Sequence, residues 1–219
     1  RVAQAVGAAS LADFPDGVWW VELAPVADPA LVGATAASVL GLRLAGDREP
    51  TEGAISVIGS RRLLLILDNC EHLLDGVVAW VDAVTTHCPN ARLLVTSQEL
   101  LKVSAEQAYR LGALGLPARS SVEDALASGA IELFVARAQA ADPRFALDPG
   151  NVEAAVEICR RLDGIPLAIE LAAARLPLLG IEGVRARLNE RFKVLTGGAR
   201  AVLRRHQTLR AALEWSHGL

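Results

Sequence analysis

Three short stretches carry residue types that could do chemistry. The first is Asp68-Asn69-Cys70-Glu71-His72, which follows the unbroken apolar run Leu63–Leu67. Such a run suits a strand covered on both faces, as in a parallel sheet. Ligands of open α/β sheets sit beyond the carboxyl ends of the strands, where Asp68 would project. A carboxylate there can hold Mg²⁺ on a nucleotide, or it can be an ordinary strand-end or helix-capping acid. The second stretch, Thr96-Ser97-Gln98-Glu99, ends another short apolar run, Leu93-Leu94-Val95. The third, Asp163-Gly164-Ile165-Pro166-Leu167, combines turn residues with a proline suited to the first position of a helix.

The elements that must position these residues can be read in order. Val2, Ala3, Ala5, Val6, Ala9 and Leu11 fall on one side of an opening helix, which the turn residues Asp13 to Gly17 terminate. Gly17–Leu23, rich in Val and Trp, reads as a strand. Asp28 is an N-cap and Pro29 the first position of a helix running to about Leu42. A polar loop over 43–50 leads to a short helix over 51–59 and then to the central strand. Helical spacing of Leu73, Leu74, Val77, Val78, Trp80, Val81 and Val84 predicts a helix that Cys88-Pro89-Asn90 stops. Ala91–Thr96 is the next strand, and Tyr109–Leu114 reads as a last one. This alternation predicts crossover units and a parallel sheet. Beyond a linker over 117–121 everything is helical, with helices expected over 122–141, 152–162, 166–179, 181–191 and from 208 onward.

Composition excludes several classes. The chain has 219 residues and a net charge of −3, which argues against a nucleic-acid or membrane-surface protein. Its apolar runs fall short of the roughly 18–20 residues that a membrane helix needs, and no secretory pattern opens it. The three cysteines, Cys70, Cys88 and Cys159, are widely spaced in apolar surroundings. That predicts reduced, buried thiols in a cytoplasmic protein, with neither a disulfide framework nor a zinc site. The absence of Met and the uncapped opening helix suggest a piece of a longer protein.

LLLILDNCEH (63–72), LLVTSQE (93–99), ELFVARA (132–138), EICRRLDGIPLAIELAAARL (157–176), RFKVLTGGAR (191–200) and RHQTLRAALEWSHGL (205–219) together resemble one family. It is the NB-ARC-like STAND P-loop ATPases of bacterial transcriptional regulators of the LuxR and AfsR/SARP types. The resemblance covers nearly the whole chain. It implies an α/β nucleotide-binding domain over 1–116, a helical domain over 117–197, and the start of a winged-helix domain over 198–219. The family's Gly-rich phosphate loop would lie just ahead of Arg1, as would a first strand. The chain alone is therefore expected to bind nucleotide poorly and to be aggregation-prone.

By that resemblance Asp68 carries Mg²⁺, directly or through water, against the β- and γ-phosphates. Asn69 stands where many relatives have a second carboxylate that activates water. An amide cannot accept that proton, so a slow switch is favoured over a fast ATPase. Glu71 or His72 could assist, or could simply open the next helix. Thr96, Ser97 and Gln98 match the family's sensor site, where Gln98 replaces the usual Arg and cannot give a guanidinium's charged grip; Ser97 could alternatively be a helix N-cap. Gly164, Pro166 and Leu167 match the GLPLA motif, whose proline packs on adenine; equally, Pro166 could merely start a buried helix. The cluster Arg200, Arg204, Arg205, His206 and Arg210 lies at a domain junction, with Glu214 following and no aromatic interleaving, which speaks against DNA contact. His87 and His217 have no ligand-spaced partners.

Two functions follow. One is an ATP/ADP switch with Mg²⁺ as cofactor, in which nucleotide exchange rotates the two domains, changes what flanking regulatory and output domains bind, and could drive oligomerisation. DNA would be reached only through other domains. The other is a degenerate NTPase-fold scaffold for protein–protein interaction.

Overall fold

A computed structural model describes residues 1–42, 49–119 and 121–195, with the backbone alone for 189–195. The polar loop over 43–48, the expected winged-helix start and the Arg200–Arg210 cluster lie outside the described residues. The packing divides the chain after Tyr109 into two units.

The first unit is built on a three-stranded parallel sheet in the order β1-β2-β3: β1 is Val18–Glu22, β2 Leu64–Asp68 and β3 Arg92–Val95. This is the α/β architecture that the apolar runs imply, with β2 in the middle. Parallel neighbours need crossover connections, and helices supply them: α2 (Val32–Val39), α3 (Pro50–Ile58) and α4 (Leu74–His87). Helix α1 (Val2–Ala9) precedes β1. Alternate residues of a strand point to opposite faces, and β2 divides accordingly. Leu65 and Leu67, with Leu63 just ahead, pack with Val21, Leu23, Ala36, Ile58, Val77 and Trp80. Leu64 and Ile66 face the other way, onto Ala3, with Val18, Trp20 and Leu94 alongside. Both faces are covered, which is why the run shows no polar alternation. On the α1 side the approach is close: a Cβ on Gly7 would lie 2.7 Å from Ile66 Cδ1.

Leu65 is fully buried. Leu65→Ala is expected to cost about 2–5 kcal/mol, the transfer of the lost methyls plus an unfilled cavity. Urea denaturation followed by tryptophan fluorescence checks it, with Trp80 of the same core as reporter.

Several boundaries follow local chemistry. Asp28 accepts from the Ala30 amide at 2.9 Å, as an N-cap should, but the first turn, Pro29–Leu31, is 3₁₀ before α2 begins. Helix α3 starts one residue earlier than expected, with Pro50 in its first turn and Glu49 accepting from Thr51 N–H. Tyr109–Leu114 is not a strand. Tyr109 and Leu111 are largely exposed, and the Leu114 N–H is spent on the Gly164 carbonyl instead of a sheet ladder.

The second unit is helical: α5 (Val122–Leu126), α6 (Gly129–Ala141), α7 (Val152–Arg161), α8 (Pro166–Ala173) and α9 (Leu176–Leu195). The single helix expected over 122–141 is broken, because Ala127 and Ser128 end α5 and the buried Ser128 hydroxyl donates back to the Ala125 carbonyl. The expected 166–179 helix stops at Ala173. The chain then continues as α9, kinked at Gly180 (φ 64°, ψ 168°), which absorbs the expected break before Ile181. Ile131, Phe134, Val156, Ile158, Leu162 and Ile169 form the core, with Phe134 edge-on to Phe145 at 6.1 Å between ring centroids.

Candidate functional site

In the first unit the sequence-predicted residues gather at the carboxyl ends of β2 and β3. The register pairs Leu67 with Val95, so Thr96 follows directly opposite Asp68. Its hydroxyl does two jobs. It donates to Asp68 Oδ1 at 2.5 Å and accepts from the Asn69 N–H at 2.9 Å. Backbone bonds continue the ladder past the strands, with Thr96 N–H to the Leu67 carbonyl and Cys70 N–H to the Thr96 carbonyl. Asn69 has a left-handed backbone, φ 67°, which Asn tolerates better than most residues. The chain thus turns sharply after Asp68 and leaves that carboxylate half-buried at the strand end.

Asp68 caps no helix. The residue ahead of α4 is Leu73, which offers no capping side chain, so the capping alternative falls. Gln98 donates its amide to Glu71 Oε1 at 3.0 Å, tying the exit of β3 to the β2–α4 loop a second time. His72 is anchored elsewhere: its Nε2 lies 2.8 Å from the Val26 carbonyl, so that nitrogen must carry the proton. Ser97 accepts from Glu99 N–H at 3.1 Å and closes a local turn; no helix follows it, so it is not a helix N-cap. Cys70 is buried beneath the loop. Its thiol is pushed up to about 12, by desolvation first and by the charges of Glu71 and Asp68 after it. Protonated and buried, it is no nucleophile at neutral pH. His87 is exposed, with Nδ1 2.8 Å from the Ala83 carbonyl of its own helix.

The donor set suits a hard cation that keeps most of its water. No side-chain donor among the described residues is directed at the other oxygen of Asp68, Oδ2, and Glu71 is close in sequence. Among the described residues no three His, Cys, Asp or Glu side chains form a cage. Mg²⁺ needs none, since one or two carboxylates plus phosphate oxygens and waters suffice. An open hollow bordered by Gln4, Leu11, Trp20 and Ile66 lies in this unit as well, but none of the sequence-predicted residues borders it.

In the second unit Asp163 (φ 51°) and Gly164 (φ 66°) form the turn between α7 and α8. Gly164 donates to the Cys159 carbonyl at 3.1 Å and accepts from Leu114 N–H at 2.9 Å. Pro166 occupies the first turn of α8, where its missing N–H costs nothing. The helix is not buried all round: Pro166 and Leu167 are exposed, while Ala168, Ile169, Ala172 and Ala173 are buried. An apolar pair at a helix start is thus left on the surface of this unit.

Sequence reading names Thr96 only as the first residue of the sensor-like strand end and misses its bond to Asp68. Its signal was available, because two adjacent parallel strands that end together bring their next residues side by side.

No protein-family model matches the chain. It is 40% identical over 215 residues to "Putative HTH-type transcriptional regulator Rv0890c" of Mycobacterium tuberculosis, a match that takes in 98% of this chain and 23% of that protein. A Mycobacterium bovis protein, "Putative HTH-type transcriptional regulator Mb0914c", matches equally well. "Uncharacterized protein Rv0894" of M. tuberculosis is 39% identical over 219 residues, 100% of this chain and 53% of that protein. The chain therefore spans from 23% to 53% of the length of these relatives. Among the described residues no helix is long and apolar enough to cross a membrane. Along nearly its whole length, then, this chain is a homologue of one segment of longer mycobacterial proteins, a group that includes named transcriptional regulators.

Proposed function

We propose that this chain is the ATP/ADP-dependent switch module of a transcriptional regulator of the NB-ARC-like STAND type, hydrolysing slowly or not at all. The observation that carries the reading is Asp68 at the carboxyl end of the middle strand of a parallel sheet, half-exposed and held by a neighbouring hydroxyl. When bound there, Mg²⁺ offsets charge on the β- and γ-phosphates. Asp68 holds the cation or one of its waters. Asn69 contributes its backbone turn, and its amide accepts no proton, which keeps hydrolysis slow. Ser97 and Gln98 border the phosphate side. Gly164 sets the turn that presents Pro166 and Leu167, whose exposed apolar surface suits an adenine ring. Nucleotide exchange alters what flanking regulatory and output segments bind. DNA is read by other segments of the longer protein, in keeping with the helix-turn-helix name of the relatives.

Calorimetric titration of ADP into the full-length protein, with and without MgCl₂, tests this. Asp68→Ala is expected to weaken Mg²⁺-dependent affinity by at least the roughly 10–100-fold that loss of a partner orienting a metal ligand costs. Affinity unchanged by either the mutation or Mg²⁺ sinks the assignment.

Two observations favour a scaffold without nucleotide chemistry. The Gln98 amide is occupied by Glu71, and position 69 lacks an acid. On that reading ADP does not bind at all, and the same titration separates the two.

A further inference from the structure

The Thr96 hydroxyl touches Asp68, which the proposed function places at the cation, and the Asn69 backbone beside it. Its bonds run in opposite senses: it donates to Asp68 Oδ1 and accepts from the Asn69 N–H. A hydroxyl has one proton, and here it is committed to Asp68. Accepting from an amide makes that proton a better donor, because bonds in a chain polarise one another. Thr96 is itself fixed by the ladder, its N–H on the Leu67 carbonyl and its carbonyl receiving the Cys70 N–H. The carboxylate of Asp68 is therefore aimed by a group on the neighbouring strand, not left to choose its own rotamer.

We propose that Thr96 is a positioning residue that makes Asp68 a one-oxygen ligand and so selects Mg²⁺ over Ca²⁺. The inference rests on the reading that Asp68 serves the cation of a bound nucleotide. Ca²⁺ takes six to eight oxygens and commonly grips a carboxylate through both of them, whereas Mg²⁺ takes six in tight octahedral geometry and one oxygen per carboxylate. A carboxylate oxygen keeps a second lone pair when it accepts one hydrogen bond. The hydroxyl proton nevertheless draws charge from Oδ1 and fixes the rotation of the group, so two-oxygen capture is weakened while single-oxygen ligation through Oδ2 is not. The penalty therefore falls on the larger ion. Asn69 adds to this through its backbone: the left-handed turn at φ 67° points its N–H at Thr96, so the loop that carries Asp68 and the strand that aims it are one hydrogen-bonded piece.

The test uses the full-length protein, with ADP affinity measured against MgCl₂ and CaCl₂ separately, and melting followed in parallel. Thr96→Val removes the hydroxyl at nearly constant shape. It is expected to raise the Mg²⁺ concentration at half-effect by about 10-fold, the size typical of lost partners to a metal ligand. The ratio of Mg²⁺ to Ca²⁺ affinity should narrow, while metal-free ADP binding stays where it was. Thr96→Ser keeps the hydroxyl and should restore both Mg²⁺ affinity and the ion preference, which a merely structural role for the side chain would not predict. Thr96→Ala serves in place of valine if the latter lowers the melting temperature. A Mg²⁺-dependent wild type whose ion preference survives valine and alanine alike overturns the inference alone. A serine variant that behaves like valine does the same. A wild type whose ADP binding ignores divalent cations overturns the underlying reading and this inference with it.

Discussion

Gly164→Ala is expected to destabilise the helical unit by roughly 3–5 kcal/mol, because strain and a buried clash combine there. Two penalties act at the same atom. The backbone at φ 66° is left-handed, where any Cβ costs about 1–2 kcal/mol. That Cβ would also be driven into the Leu114 carbonyl oxygen, with no flexible side chain to yield. Relief means moving Leu114 away, which breaks its 2.9 Å amide bond to the Gly164 carbonyl and strands a buried acceptor. Chemical denaturation of the chain, followed by circular dichroism so that helix loss is read directly, checks it. Asp163→Ala is the control, since Asp163 also has positive φ (51°) but is exposed, and it should lose far less.

The second large effect is alkaline. Cys70 and Cys159 have thiols pushed from the ordinary value of 9.0 up to about 12, chiefly by burial, with Glu71 and Asp68 adding to it at Cys70. Cys88 moves in the same direction, also by burial and partly offset by the Gly59 amide. Unfolding returns each thiol to water and to its ordinary value. Between pH 9 and 12 the folded chain therefore holds protons that the unfolded chain has released. Stability is full below about pH 9 and falls as pH rises, by about 1.4 kcal/mol per pH unit for each of Cys70 and Cys159. The composition makes this readable, because the chain has only one tyrosine and two lysines to titrate in the same window. Urea midpoints at steps from pH 8 to 11.5 should decline steeply. Cys70→Ala and Cys159→Ala should each flatten the slope, whatever they cost at pH 8; slopes unchanged by both would show that the thiols are not the cause.

How much of this was legible beforehand divides along physical lines. The run Leu63–Leu67 ending in Asp68 was readable because burial on two faces leaves no polar alternation to confuse with a surface element. The Asp28 cap and the Asp163-Gly164 turn were readable because their chemistry is local. Tyr109–Leu114 misled, since Tyr and alternating Leu suit an extended chain whether or not a partner strand exists, and here the pairing goes to a turn in the helical unit. The breaks after Leu126 and Ala173 were hidden because alanine-rich sequence continues helical periodicity straight through them. At the candidate site, the types of Asp68, Asn69, Ser97 and Gln98 were visible, but their partners were not. That Gln98 holds Glu71, and that Thr96 bridges Asp68 to Asn69, depends on strand register, which residue types alone do not give.

The ladder that runs past the ends of β2 and β3 has a bearing on tempo. Amides at Asn69, Cys70 and Thr96 all have protein acceptors, so their hydrogens should trade with deuterated solvent almost as slowly as those of the sheet interior. In the stretch over 98–113, without helix or strand, the amides of Glu99, Leu101, Lys102 and Glu106 have local acceptors and should lag, while the rest should trade within seconds to minutes. A rearrangement felt at Asp68 would then leave the acid's own loop still and be taken up by the chain downstream of it, and a deuterium-uptake time course would display that contrast peptide by peptide.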